Sequence, residues 1–420
     1  MESNMEKKNK NNKKIAIIAL ALIAVSAAVF VVRGHNSSKI TTIAFYGIGE
    51  REANGIIAEI ERITPEKKFN FVKLETDKDT KAKSADKEFE KKIEDSDASL
   101  VFVKSGRNVK GAIALAMKKS QYTKGISEEM PTSIRAAIVK DDIGLTAIPV
   151  LGDHMEIDID MVAFRNSGME GISTWEDIEN LAVFQKRYVD FPIVFAGKDP
   201  ELAMDVFGAF TEALSGTDEY ESAVKIMNAN SGETFNAPRL ARLLTEKSDD
   251  PLFRTVLHLK NLYKKGLLNP NTFNLTKADV NAFARARIAS IIIMSLDDHR
   301  NYSYEVISRF SSIYFPSKFP AGERKFVAPL TYAIPLSKDE SVHNIISALV
   351  STESQEKVSS STGLAPVLSH SRTPDKQASD VRRWVAATDA PLSGFSRDTN
   401  LTKTQQIQLV AELAALITAK

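Results

Sequence analysis

The sequence predicts an α/β fold, and three observations lead to this prediction. Lys39–Tyr46 is a β-rich run, followed by a glycine-containing loop and the helical stretch Arg51–Ile63, whose isoleucines recur on one face. Later, the helical stretch Asp279–Ala286 precedes the apolar, β-branched run Ile288–Met294, which is typical of a strand buried on both faces. Between these two regions, short apolar runs alternate with helical stretches. Alternating strands and helices are the pattern of an α/β protein.

The composition limits the classes of function. With 420 residues, the chain is long enough for two or more domains. It has 55 basic and 54 acidic residues, and such a balance gives no support for nucleic-acid binding. The absence of cysteine excludes disulfides, thiolate metal sites, cysteine nucleophiles and thioether lipidation, but it does not fix the compartment.

The N-terminus is organised like a membrane-targeting segment. A lysine-rich stretch, residues 1–14, precedes the charge-free run Ile15–Val32. This run reaches the length of about 17 residues that a membrane helix needs. We expect residues 1–33 to form a cytoplasmic tail and an uncleaved signal-anchor helix, with residues 34–420 outside the membrane. The alternative is a cleaved signal peptide, cut near Ala24–Ala28.

The first half of the exported body contains further short elements. The predicted strand Gly144–Leu151 contains Pro149, which cannot donate a backbone hydrogen bond, so this strand is expected at a sheet edge or end. In order, the predicted elements are the strand Phe69–Leu74, a helix near Lys87–Ile93, the strand Ala98–Val103, the helix Gly111–Lys118 and the strand Gly144–Leu151.

A helix start is marked at Ser173-Thr174-Trp175-Glu176-Asp177. Ser173 or Thr174 can cap the helix, and the acid three residues later can complete a capping box. Trp175 then packs at the start of this helix, so we interpret it as a structural residue.

The rest of the chain is predicted to be mostly helical with a few strands. Gly197 follows the predicted strand Phe191–Phe195 and permits a close approach of a ligand or a helix. Ser295–His299 is predicted to be a polar loop at the carboxyl end of the Ile288–Met294 strand, where α/β proteins often bind ligands. The predicted helices are Glu201–Leu214, Glu221–Met227, Pro238–Thr245, Pro251–Lys265, Ser341–Val350 and residues 376–420, which end with the amphipathic helix Thr404–Thr418.

Three segments resemble the family 1 extracellular solute-binding proteins of ABC transporters, which have a maltose-binding-protein-like fold. They are Phe283–Ser295, the Ser173–Asp177 motif, and a final region in which Ala333-Ile334-Pro335, Ser351–Val358 and Thr362–Val367 follow in order. The resemblance covers about Lys39 to Lys420. It is looser at Phe164-Arg165-Asn166, where Tyr-Asn-Lys is usual in that family.

The resemblance implies a two-lobe periplasmic-binding-protein fold of type II, with an interlobe cleft, preceded by the membrane-anchor helix. Lobe 1 is expected to hold residues 39–157 and 322–364, and lobe 2 residues 158–321 and 365–420. The hinge is expected at about Asp153–Asp160.

Candidate ligand-binding residues lie on the loops expected to face this cleft. By the resemblance, Tyr46, Gly47 and Glu50 are contacts, although a tight strand–helix turn explains them equally well. A donor-rich loop can hold a hydroxyl or a carboxylate, but it can also be ordinary surface. The remaining candidates are Lys104, Ser105 and Arg107, then His154 and Asp158 at the hinge, Gly197, and Ser295, Asp297 and Asp298.

The implied function is the capture of a small polar solute, a carbohydrate or a related compound, and its delivery to an ABC permease. No cofactor and no metal site is expected, because a single histidine beside an acid lacks the three or four ligands that a metal needs. No catalytic motif is evident, so we expect a binding protein rather than an enzyme. Sugar-binding members usually carry an aromatic residue in the loop where this chain has Leu296-Asp297-Asp298-His299. This favours a strongly polar or amine-bearing solute, or a site that no longer binds. The alternative function is a membrane-tethered sensor or structural surface protein on the same scaffold.

Overall fold

A computed structural model describes residues 40–74, 82–119, 130–140, 145–388 and 390–419. Contacts divide the chain into two compact units, of which one comprises Thr42–Lys67 and Phe71–Lys420. The other comprises Met1–Thr41 and Lys68–Asn70, and its described residues include the first residues of strands β1 and β2.

The first sheet has seven strands. Six follow the order β11-β5-β10-β3-β1-β2, and β4 pairs with β5 outside this path. β1 is parallel to β3, whereas β10 runs antiparallel to both β3 and β5. The strands are β1 Thr41–Tyr46, β2 Phe69–Leu74, β3 Ala98–Lys104, β4 Val139–Lys140, β5 Leu145–Gly152, β10 Leu330–Pro335 and β11 Ala365–Pro366. The predictions of β2 and β3 are therefore confirmed.

Pro149 does not place β5 at a sheet edge, so that prediction is wrong. β5 lies between β10 on one side and β4 and β11 on the other. β4 pairs with β5 up to Ala147, and β11 pairs with Leu151 and Gly152. On this side of β5, Pro149 falls in the gap between these two short partners, and on the other side it faces Tyr332 of β10 next to a register shift.

The second sheet has four strands in the order β7-β8-β6-β9. β7 is parallel to β8, and β6 is antiparallel to both β8 and β9. Met155, Ile157 and Ile159 of β6 belong to a large apolar cluster, which the last helix of the chain completes with Leu409, Leu413 and Ile417. The strands are β6 Met155–Asp160, β7 Ile193–Val194, β8 Ile291–Ser295 and β9 Phe310–Ile313.

The chain passes between the sheets more than once. It leaves the first sheet at Gly152 and enters the second at Met155, so only Asp153 and His154 connect β5 to β6. It returns to the first sheet between Ile313 and Leu330. After Pro366 it reaches the C-terminal residues that pack in the apolar cluster around β6. The predicted lobe boundaries remain predictions.

The described helices surround these sheets. Most predicted helices are present, and several begin a few residues earlier than expected. Their bounds are α1 Glu50–Ile63, α2 Ala82–Asp95, α3 Arg107–Lys119, α4 Thr132–Ala137, α5 Met161–Ser167, α6 Trp175–Gln185, α7 Pro200–Ser215, α8 Thr217–Ala229, α9 Ala237–Thr245, α10 Phe253–Lys264, α11 Lys277–Ala286, α12 Leu296–Arg300, α13 Tyr304–Ile307, α14 Glu340–Leu349, α15 Thr352–Thr362, α16 Lys376–Ala386, α17 Phe395–Asp398 and α18 Lys403–Thr418.

The predicted helix start at Ser173–Asp177 is confirmed in detail. The Thr174 hydroxyl accepts from the Asp177 N–H, and the Asp177 carboxylate accepts from the Thr174 N–H, which forms a capping box. The Trp175 ring stacks on Phe210 with 5.0 Å between centroids and also contacts His258 and Phe315. Trp175 is therefore a packing residue.

The prediction of a polar loop at Ser295–His299 is wrong. Ser295 ends β8, and its hydroxyl accepts from the Asp298 N–H, which caps the short helix α12. Serine is a preferred N-cap residue, so Ser295 begins a helix here rather than a loop.

The predicted signal-anchor, Ile15–Val32, lies outside the described residues. Among the helices that the structure describes, none has the length and apolar composition needed to cross a membrane.

His258 provides a test of this packing. Burial is the main cause that lowers the pKa of His258 to about 4, which is below the value of about 6.5 in an unfolded chain. Unfolded protein therefore binds the proton more tightly, and the stability that neutral His258 contributes is complete above about pH 6.5 and is lost as the pH falls toward 4. After allowance for its partial exposure, we expect a loss of about 1 kcal/mol at about pH 5.

The measurement is urea unfolding of the wild type and of His258→Gln at about pH 7.5 and about pH 5. The variant should lose about 1 kcal/mol less than the wild type over this interval. Equal losses in the two proteins would show that His258 does not titrate on unfolding.

Candidate functional site

A cavity of about 540 Å³ lies where the carboxyl end of β3 faces the largely irregular segment that precedes α18. One wall belongs to the loop after β3, to α3 and to Tyr332 of β10. The other wall belongs to the end of α8 and to residues 393–400. The lining residues are Glu90, Ser105, Gly106, Arg107, Val109, Lys110, Gly111, Ile113, Ala114, Asn228, Tyr332, Ser393, Asp398 and Asn400.

The first wall is held in place by backbone bonds to β10. The Ser105 N–H donates to the Leu330 carbonyl at 2.7 Å, and the Leu330 N–H donates to the Ser105 hydroxyl at 3.1 Å. Gly106 has a φ of +113°, and a Cβ there would lie 2.6 Å from the Arg397 carbonyl oxygen. Only glycine allows the two walls to approach so closely.

Arg107 supplies an unused donor. One terminal guanidinium nitrogen of Arg107 is buried and has no hydrogen-bond partner in the described part of the chain. Because a buried guanidinium nitrogen without an acceptor is unfavourable, a ligand with hydroxyl or carboxylate oxygens would satisfy it.

The second wall is organised by Asp398. Its carboxylate accepts from the Tyr220 hydroxyl at 2.9 Å and from the Ser393 N–H at 3.1 Å, and burial raises the pKa of Asp398. The Asn228 side chain accepts from the Asn400 N–H, which fixes the segment beyond α17. These contacts shape an irregular segment into a defined wall.

Another contact between the two sheet-bearing halves is made by Arg51. Arg51 of α1 lies 3.4 Å from the Asp297 carboxylate and donates to the carbonyl oxygens of Asp297, at 3.1 Å, and of Arg300. Burial lowers the pKa of Arg51, opposed mainly by Asp297. A further cavity of about 500 Å³, lined by Glu50, Arg51 and Asn301 among others, adjoins this contact.

Lys104, a predicted contact, is engaged within the protein. Its side chain is buried, 2.8 Å from the Glu52 carboxylate and 3.1 Å from the Thr331 hydroxyl. Burial opposes the charged form, but Glu52, with weaker help from Asp153 and Asp297, outweighs it and raises the pKa of Lys104. The Lys104 ammonium therefore pairs with Glu52 inside the protein and is not free to contact a ligand.

The two predicted hinge residues are also buried. His154 is 1% exposed, and its ring packs edge-on against Phe326 and Trp384 at 5.3 and 5.2 Å. Burial lowers the pKa of His154 to about 3, so the ring stays neutral in a packed environment. Asp158 is 0% exposed and contacts His299 and Ser312 rather than a cavity.

The other predicted residues differ in their surroundings. Tyr46 is buried against the Phe89 ring at 4.4 Å, whereas Glu50 is exposed at the second cavity. Gly47 has a φ of +67° and open space around it. Gly197 is enclosed, because a Cβ there would lie 2.8 Å from the Phe273 backbone, so this glycine permits close packing.

Asp298 is paired on the far side of α12 from Arg51. Its carboxylate lies 2.8 Å from the Lys277 ammonium, which also lies 3.4 Å from Asp199. Burial raises the pKa of Asp298, opposed by Lys277. Ser295 caps α12, as described above.

The structure thus brings Ser105 and Arg107 to the main cavity and Glu50 to the second one. Gly47 lies in open space and Ser295 caps a helix, and the other predicted residues are in packing or ion pairs. Sequence reasoning missed Asn228, Tyr332, Ser393, Asp398 and Asn400. The last three lie within residues 393–400, which contain the short helix α17 and no recognisable motif. The available sequence signal was Gly394, which has a φ of +92° in the structure.

The structure is similar to those of solute receptors that bind sugars. The bacterial solute receptor AcbH, reported to prefer β-D-galactopyranose, matches with a TM-score of 0.67 and 14% identity over 90% of this chain and 96% of its own. The two proteins share the fold of a solute receptor. A chitin oligosaccharide binding protein matches with a TM-score of 0.60 and 14% identity, over 90% of this chain and 98% of that chain. MalE3 of T. maritima with maltose bound matches with a TM-score of 0.55 and 12% identity, over 89% and 98%.

No protein-family model and no curated protein sequence matches this chain. At 11–14% identity, the structural likeness establishes the fold that the resemblance implied.

The Lys104–Glu52 pair provides a test of how these buried charges hold the region together. Removing one member leaves an uncompensated buried charge, so Glu52→Gln should lower the free energy of unfolding by about 3–5 kcal/mol. Adding Lys104→Met to this variant should recover part of the loss.

The measurement is urea unfolding of the four proteins in a double-mutant cycle. We expect a coupling energy of about 1–3 kcal/mol. Additive losses would show that Lys104 is not stabilised chiefly by Glu52.

Proposed function

We propose that this protein is an extracytoplasmic receptor that captures a small carbohydrate in the cavity of about 540 Å³ and delivers it to an ABC importer. The observation that carries this proposal is that the cavity takes its walls from both sheet-bearing halves of the chain. A solute bound there contacts both walls, and closure of two lobes around a ligand is how binding proteins of this architecture work.

The size and chemistry of the cavity support a sugar. Its volume lies within the range of about 300–1,000 Å³ of small-molecule sites, and roughly one or two hexose rings would fill it. Its polar groups combine the Arg107 guanidinium, side-chain amides and the Asp398 carboxylate. Donors and acceptors in this mixture match hydroxyl groups, which both donate and accept. Tyr332 is the aromatic residue in this lining, so hydrogen bonds would contribute more than ring stacking.

The similar proteins support the same conclusion. Their descriptions name galactopyranose, chitin oligosaccharide and maltose as ligands, and they describe binding proteins rather than enzymes. We infer a binding function without catalysis, with the body outside the cytoplasmic membrane. The lysine-rich start and the apolar run Ile15–Val32 support export and a single N-terminal anchor, with a cleaved signal as the alternative.

The test is thermal and chemical unfolding of the full chain with a panel of mono- and disaccharides. A sugar at a hundred times its dissociation constant should stabilise the wild type by about 2.7 kcal/mol. Arg107→Ala should abolish most of this shift. Arg239→Ala, which removes an exposed arginine on α9 that is not part of the cavity lining, should retain it.

Two results would contradict the proposal. One is a folded wild-type protein that no sugar on the panel stabilises. The other is an Arg107→Ala variant with the same shift as the wild type, which would place the sugar elsewhere.

A further inference from the structure

A compact group of potential metal ligands lies away from the cavity, between β6 and α12. Glu156 and Asp158 are two residues apart on β6, so their side chains leave the same face of the strand. His299 lies on α12 above that face. The ligand atoms of the three side chains all lie within 4.8 Å of one another, and the three residues are 0%, 0% and 1% exposed.

The distances within the group are short. The Nδ1 atom of His299 lies 3.1 Å from a Glu156 oxygen and 2.9 Å from an Asp158 oxygen. Two ligands that each bind zinc at about 2.0–2.1 Å with tetrahedral geometry are about 3.3 Å apart. A small shift of the three side chains would therefore accommodate an ion.

The surrounding protein leaves these groups incompletely satisfied. The second carboxylate oxygens of Glu156 and Asp158 and the Nε2 atom of His299 are buried and have no hydrogen-bond partner among the described residues. Ser312 donates to Asp158 at 2.7 Å. Arg300 acts electrostatically on Glu156, but its guanidinium lies 2.9 Å from Asp375.

The charges point to a divalent cation. When an ion is bound, two carboxylates and a neutral imidazole together supply a charge of −2, which would be strongly unfavourable in a buried site without a cation. A divalent ion neutralises it and occupies the oxygens that lack donors. An imidazole nitrogen among the ligands favours zinc and related transition metals over magnesium and calcium, which prefer oxygen ligands.

We propose that Glu156, Asp158 and His299 bind a divalent transition-metal ion, with zinc as the ion that fits best, and that this ion fastens α12 to β6. The Ser312 hydroxyl orients the Asp158 carboxylate as a neighbour of the ligands. This site is separate from the sugar cavity and does not depend on the proposed transport function.

The test uses the full chain, stripped with a chelator, dialysed and then loaded with zinc chloride. Because the ligands are buried, loading is carried out both on the folded protein and during refolding from denaturant. Elemental analysis after desalting should find one zinc per chain, and the midpoint of thermal unfolding should rise. Cobalt should bind at the same site with a visible d–d absorption, whereas calcium should give no shift.

Variants locate the ion. Loss of a single supporting residue around a metal site already lowers affinity by about 10–100-fold, so loss of a ligand in Glu156→Gln or His299→Gln should lower zinc affinity by at least about 100-fold. His258→Gln, which removes a histidine outside the group, should bind zinc like the wild type. Near-ultraviolet circular dichroism checks that each variant is folded.

Metal retention by the wild type tests the proposal even where a variant fails to fold. If it retains neither zinc nor cobalt after both loading procedures, the three side chains form a closed group with a protonated histidine between two acids, and the proposal is overturned. Stoichiometric zinc that persists in a folded Glu156→Gln and His299→Gln double variant also overturns it.

Discussion

The short helix α12 is the point on which much of this structure depends, because four consecutive ionisable residues on it contact four different parts of the chain. Asp297 contacts Arg51 of α1, Asp298 contacts Lys277 of α11, His299 contacts Glu156 and Asp158 of β6, and Arg300 contacts Asp375 before α16. In a helix, consecutive side chains point in directions about 100° apart, so four neighbours can have four separate partners. Ser295 makes this possible by capping the helix directly after β8.

Buried charged groups connect distant parts of the chain and also constrain the structure. Burial of a charged group is unfavourable unless a partner with good geometry accompanies it, and removal of either partner leaves the other without compensation. Lys104 illustrates this, because burial alone would lower its pKa and the acids around it, led by Glu52, outweigh that effect. The region between the two sheets is therefore held in a specific arrangement by pairs of charges, whereas the apolar cluster around β6 and α18 contributes nonspecific stability through burial.

The proposed sugar site has a different origin from these pairs. Its walls come from a loop that follows a regular strand and from an irregular segment, residues 393–400, that Asp205, Asp398 and Asn228 hold in shape. Gly106 and Gly394 lie at the tightest approaches, where a Cβ would collide with Arg397 and Asp205 respectively. The polar groups of the cavity are thus positioned by hydrogen bonds to neighbouring residues, as a selective site requires.

The sequence by itself determined the elements that depend on local chemistry. Phe69–Leu74, Ala98–Val103 and the helix that begins at Trp175 follow from apolar patterning and from a capping box, since these depend on residues close together in the chain. Resemblance in three short segments was enough to indicate the fold. Tertiary structure alone decided which charges meet. Glu156 and His299 are 143 positions apart, and Asp297 reaches Arg51 across 246. Sequence spacing does not predict such pairs. A charge requires a particular partner because the fold buries it, and burial is decided by the tertiary structure.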